Sequence, residues 1–97
     1  MKSLEEIKII IARHKKSVEK EYHVKEIGIF GSYVRGEQDV DSDIDILVEF
    51  KDAIGFFKFI DLEEYFESIL KLKVDLVSRG ALKPIIGKYI LDEVEMI

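Results

Sequence analysis

The stretch Ile29-Phe30-Gly31-Ser32-Tyr33-Val34-Arg35-Gly36-Glu37-Gln38-Asp39-Val40-Asp41-Ser42-Asp43-Ile44-Asp45-Ile46-Leu47-Val48 decides how this chain reads. Its first residues close a short β-branched run, Val24 to Phe30, which is bounded by Gly31 and reads as a strand ending in a turn. Ser32 to Arg35 suit a short helix, and Gly36 to Ser42 form a polar acidic loop with few apolar groups to bury. Asp43 to Phe50 then reads as a second strand. Its period of two sets Asp43, Asp45 and Leu47 on one face and Ile44, Ile46, Val48 and Phe50 on the other. Both aspartates therefore point the same way.

Outward from this centre the pattern becomes helical. Ser3-Leu4-Glu5-Glu6 has the S-x-x-E form of a capping box, and Leu4, Ile7, Ile11, His14 and Val18 recur on one face of a helix running to about Glu21. After a turn at Lys51 to Gly55, the residues Phe59, Leu62, Phe66, Ile69 and Leu70 mark a second long helix, with Asp61, Glu63, Glu64 and Glu67 interleaved. Lys73 to Val77 is a third strand, ended by Ser78-Arg79-Gly80. Pro84 then sits where the first turn of a last helix tolerates it. That helix carries Ile85, Ile86, Tyr89, Ile90 and Val94, which read as core, as do most of Phe56, Phe57 and Phe59. Not all three phenylalanines can face inward, which leaves one for a partner-facing patch. The order α-β-(short α)-β-α-β-α describes a small sheet flanked by helices, of class α/β or α+β, in one domain spanning residues 1–97.

Composition narrows the chemistry. The chain is 47% hydrophobic and 36% charged, so it can bury a core. No run approaches the roughly 20 apolar residues of a membrane span, and the segment Met1 to Glu6 is too acidic for a signal peptide, so a cytoplasmic, membrane-free protein is expected. Fifteen Lys and Arg against twenty Asp and Glu give a net charge of −5, which argues against direct nucleic-acid binding through phosphate neutralisation. With no cysteine and two isolated histidines, His14 and His23, any metal has to be held by carboxylates.

Asp75, set between Val74 and Leu76, needs a partner or an exposed position, because an unpaired buried charge costs several kcal/mol. If its strand neighbours that of Asp43 and Asp45, three carboxylates meet on one face of the sheet. The simplest remedy for their repulsion is a hard divalent cation such as Mg2+, which completes its shell with substrate phosphates. Gly31 and Ser32 supply a complementary anion site, with close backbone approach, N–H groups opening a helix and a hydroxyl donor. Arg35 is placed either to touch the same phosphate or to tie down the loop through Glu37, Asp39 or Asp41. Tyr33 is suited to stacking on a base or to packing. A calcium loop starting at Asp41 fails, because its sixth position is Ile46 and its twelfth Asp52.

Gly31-Ser32 followed by ten residues and Asp43-x-Asp45 is the G-S-x10-D-x-D pattern of the DNA polymerase β-like nucleotidyltransferase superfamily. Together with Gly55-Phe56-Phe57, Lys73-Val74-Asp75-Leu76-Val77 and Ala81-Leu82-Lys83-Pro84, the chain closely resembles the minimal nucleotidyltransferases called MNT over essentially its whole length. The resemblance implies the polymerase β-like fold and an antitoxin that transfers AMP from ATP to a tyrosine of a HEPN-domain ribonuclease toxin. By the same resemblance Gly31 and Ser32 cradle the triphosphate, and Asp43 and Asp45 hold metal. Asp75 binds a second Mg2+ and helps deprotonate or position the attacking hydroxyl. Larger relatives grip base and sugar with an added helical domain, and 97 residues leave that task to a partner protein. Two rival functions are a binding module that masks the toxin without catalysis, and a transferase acting on a small-molecule hydroxyl.

Overall fold

The computed structural model describes residues 2–97. Helix α1 spans Leu4–Tyr22, strand β1 Val24–Phe30, helix α2 Ser32–Arg35 and strand β2 Ile44–Phe50. Helix α3 spans Phe56–Leu70, strand β3 Val74–Ser78, helix α4 Pro84–Glu93 and strand β4 Glu95–Met96, with a 3-10 turn at Arg79–Ala81 between β3 and α4. The sequence-based order is thus observed, with β4 added. Among the described residues no helix is long and apolar enough to cross a membrane.

The capping box at the start of α1 is formed: Ser3 Oγ accepts from the Glu6 N–H, and the Glu6 carboxylate accepts from the Ser3 N–H. The sheet is mixed, in the order β3-β2-β1-β4. β1 runs antiparallel to β2 and β4, while β2 and β3 are parallel and joined through α3. Helices α1 and α3 cover one face. Ile7, Ile11 and Val18 of α1 and Leu62, Phe66 and Leu70 of α3 meet Ile27, Ile29, Ile44, Ile46 and Val48 of the sheet in one buried cluster. The alternation read in β2 is therefore real, with its isoleucines and Val48 facing the helices.

β3 is an edge strand, and α3 closes its open side. Glu67 accepts from the Val74 N–H and Glu63 from the Leu76 N–H, both at 3.0 Å. Charged residues that look like a solvated helix face thus occupy the backbone donors of an edge that would otherwise invite pairing.

Three expectations need correction. The second strand begins at Ile44, whose N–H starts the ladder by donating to Lys73, so Asp43 lies one residue ahead of the strand. The last helix ends at Glu93: Val94 is extended (φ −60°, ψ 137°) and leads into β4, which pairs with Gly28 and Ile29. Gly28 eases that approach, because a Cβ there would stand 2.6 Å from Val94 Cγ2 and 2.9 Å from Met96 Sδ and both side chains would have to shift. The third correction is to the core assignment. Ile85, Ile86 and Tyr89 on α4 and Phe56 and Phe57 on α3 are exposed: Ile86 and Tyr89 line an open cleft beside Phe30 and Asp45, and the two phenylalanines sit in the first turn of α3, ahead of its buried stripe.

Candidate active site

β1 ends at Phe30, and the chain leaves the sheet through Gly31 with φ +81° and ψ −153°, a conformation open to glycine alone. A Cβ at this position would fall on Asp45 Oδ2, so the turn also needs glycine for space. The Gly31 carbonyl accepts from the N–H groups of Val34 and Arg35 and so starts α2, which Gly36 ends in the left-handed region. Ser32 is the first residue of α2 and is half-exposed. Tyr33 is buried in the main core, so packing is its observed role.

Asp45 lies at the centre of this region. In the sheet it stands opposite Phe30 on one side and Asp75 on the other. The pairing of Asp45 with Asp75 follows from the parallel register of β2 and β3, which puts residues of equal parity on the same face. Asp45 is half-buried and Asp75 exposed. Burial first, and the adjacent Asp75 second, push the Asp45 carboxyl up to about 6, with Asp43 adding to the effect and Arg35 opposing it.

Among the described residues no three His, Cys, Asp or Glu side chains are grouped so as to hold a metal ion. The structure brings together Asp45 and Asp75, with Asp43 close enough to act on Asp45 through its charge. This pair fits a hard divalent cation: all its donors are carboxylate oxygens, and their mutual repulsion already disfavours ionisation of Asp45. Mg2+ in particular is commonly held by one or two carboxylates plus substrate phosphate rather than by a full protein cage.

A cleft of about 340 Å³ opens beside the pair, lined by Phe30, Gly31, Arg35, Asp45, Tyr89 and Glu93 among others. Arg35 points its Nε to Glu37 at 2.6 Å and its Nη1 to Glu93 at 3.0 Å. Of the two roles read for it, the tie to the loop through Glu37 is formed. Asp39 instead organises the loop itself, accepting from the Asp41 N–H and from Ser42 Oγ. Glu93 is the residue that sequence reasoning missed. Its carboxylate accepts from the Gly31 N–H as well as from Arg35, across 62 positions of sequence. Gly28, an isolated glycine in an apolar strand, was the available signal that another backbone approaches here.

The nucleotidyltransferase domain family matches residues 11–96. The chain belongs to this family. It is 53% identical over 94 residues to the protein adenylyltransferase MntA of Thermococcus cleftensis, covering 97% of this chain and 95% of that protein. Among solved structures, a putative minimal nucleotidyltransferase superposes with a TM-score of 0.75 at 30% identity, covering 92% of this chain and 93% of the other. A toxin-antitoxin crystal structure with AMP-PNP gives a TM-score of 0.74 at 26% identity, covering 88% of this chain and 69% of that one. This nucleotidyltransferase is thus of the minimal, MNT type, and its sheet is mixed and four-stranded.

Proposed function

We propose that this nucleotidyltransferase is an antitoxin that transfers AMP from ATP, with Mg2+, to a tyrosine hydroxyl of a cognate HEPN ribonuclease toxin and so neutralises it. The observation that carries the reading is the Asp45–Asp75 pair set directly against the Gly31 turn. The likeness to a protein adenylyltransferase supports a protein acceptor, and the likeness to a toxin-antitoxin structure with AMP-PNP supports an adenine nucleotide and a toxin partner.

In this scheme Gly31 and Ser32 hold the triphosphate, and Asp43, Asp45 and Asp75 hold Mg2+. Held by these carboxylates, Mg2+ would supply positive charge against the phosphates and the diphosphate leaving group. The tyrosine oxygen attacks the α-phosphorus, a new P–O bond forms, and the bond to the β-phosphate oxygen breaks to release diphosphate. The phenolic proton passes to Asp75, which is on the edge strand and open to the acceptor. Asp45, sheltered between β1 and β3, stays in place beneath the cradle.

The test is incubation of the purified protein with α-labelled ATP, Mg2+ and its cognate toxin, followed by peptide mapping. Label on a toxin tyrosine, abolished by Asp45→Asn and by Asp75→Asn, is the expected result. Neutralisation without label, surviving both substitutions, would select masking by binding instead. Label on small alcohols in place of the toxin would select the small-molecule reading.

A further inference from the structure

We propose that Glu93 is a positioning residue for nucleotidyl transfer, fixing the glycine–serine turn and Arg35 in the geometry that receives the triphosphate. The inference rests on the phosphate-cradle reading above. Glu93 Oε2 accepts from the Gly31 N–H at 2.6 Å, while both its oxygens accept from Arg35 Nη1, at 3.0 and 3.1 Å. One carboxylate thus ties together the first residue of the turn and the last residue of α2.

The backbone explains why this carboxylate reaches this amide. β4 pairs Glu95 with Ile29 in antiparallel register, and continuing that register by two residues would set Glu93 opposite Gly31. The ladder cannot continue, because Glu93 is the last residue of α4. The Glu93 side chain supplies an acceptor where the missing stretch of strand would have given a carbonyl. A charge-assisted bond of this kind is stronger than a neutral one, and Glu93 is the more sheltered of the two carboxylates on Arg35, with 27% of its side chain exposed against 62% for Glu37.

The turn needs such a restraint. Gly31 has no side chain to hold it, and its carbonyl starts α2, so the peptide ahead of Gly31 sets the direction of Ser32 and of the following N–H groups. A rotation there would move the phosphate donors relative to Asp45, and misplacement by about 1 Å is enough to cost about a hundredfold in rate. A carboxylate beside an anion site would by itself repel phosphate. The Arg35 guanidinium, shared between Glu93 and Glu37, offsets part of that charge.

The experiment uses wild-type protein, Glu93→Gln and Glu93→Ala, with ATP and Mg2+ as the probe. Glu93→Ala is expected to lower kcat/KM for transfer by about 10–100-fold, with both weaker ATP binding and lower kcat. Glu93→Gln, which keeps an oxygen for the Gly31 N–H, should recover part of the loss. In NMR spectra the Gly31 amide should lie far downfield in the wild type and move upfield in Glu93→Ala. Should Glu93→Ala fail to fold, Glu93→Gln carries the test through its kcat, ATP affinity and Gly31 shift. Unchanged or tighter ATP binding in a folded Glu93 variant would overturn the proposal, since the carboxylate would then be idle or a competitor for the cradle. Absence of ATP binding by the wild type would instead defeat the cradle reading itself.

Discussion

The two faces of the sheet are built from the same strands and end in opposite conditions. Beneath α1 and α3, Ile27, Ile29, Ile44, Ile46 and Val48 are completely buried. On the other face β2 and β3 set Asp45 beside Asp75, and α4 leaves Ile85 76% and Tyr89 72% exposed. One residue of alternation along β2 separates a side chain that holds the fold together from one that weakens it. Burial of apolar surface is concentrated on one face, and this lets the other carry carboxylates that repel each other.

The comparison breaks most visibly at Asp45. Asp45→Asn should reduce AMP transfer by at least about a hundredfold, as loss of a metal-holding carboxylate would, while raising the thermal midpoint of the metal-free protein by a few degrees at neutral pH. A variant that lost both activity and stability would show that the open face also supports the fold. On the covered face, Phe66→Ala should cost about 3–5 kcal/mol in urea unfolding, because Phe66 is fully buried and its removal leaves a cavity among Leu62, Leu70 and the sheet.

Titration sharpens the contrast. The folded-state pKa of Asp45 lies above its ordinary value, at about 6 against 3.8, so between these values the folded chain binds more protons than the unfolded one. This group's contribution to stability is therefore fully present below about pH 4, falls as pH rises to about 6 and is flat above. The difference between melting curves of wild type and Asp45→Asn across this range, in buffer without divalent ions, should display that slope. Added Mg2+ should restore wild-type stability at neutral pH and leave Asp45→Asn unchanged.

Gly31→Ala comes next in size. The positive φ and the Asp45 carboxylate leave no room for a methyl group, and a loss of about 1–3 kcal/mol is expected from thermal unfolding. The smallest effects belong to the exposed residues of α4. Ile85→Ser and Tyr89→Ser should each change stability by no more than about 0.5 kcal/mol. A large loss at either would mean that α4 shelters more of the second face than its exposure shows.

Much of this protein was determined by local chemistry and could be read from the chain. The capping box, the period of two in β2 and the glycine closing β1 are nearest-neighbour effects, and each lies where the sequence reading put it. Asp45 and the turn were legible for the same reason, since residue type and spacing decide which way a strand side chain points, whereas Asp43 lies just ahead of that strand and Asp75 on another. Tertiary structure alone decided that Asp75 stands opposite Asp45, that Glu93 closes on Gly31, and that the apolar stripe of α4 stays uncovered. Those outcomes depend on which strands become neighbours and where a helix lands. Periodicity reports that a face is apolar and is silent about what, if anything, will cover it.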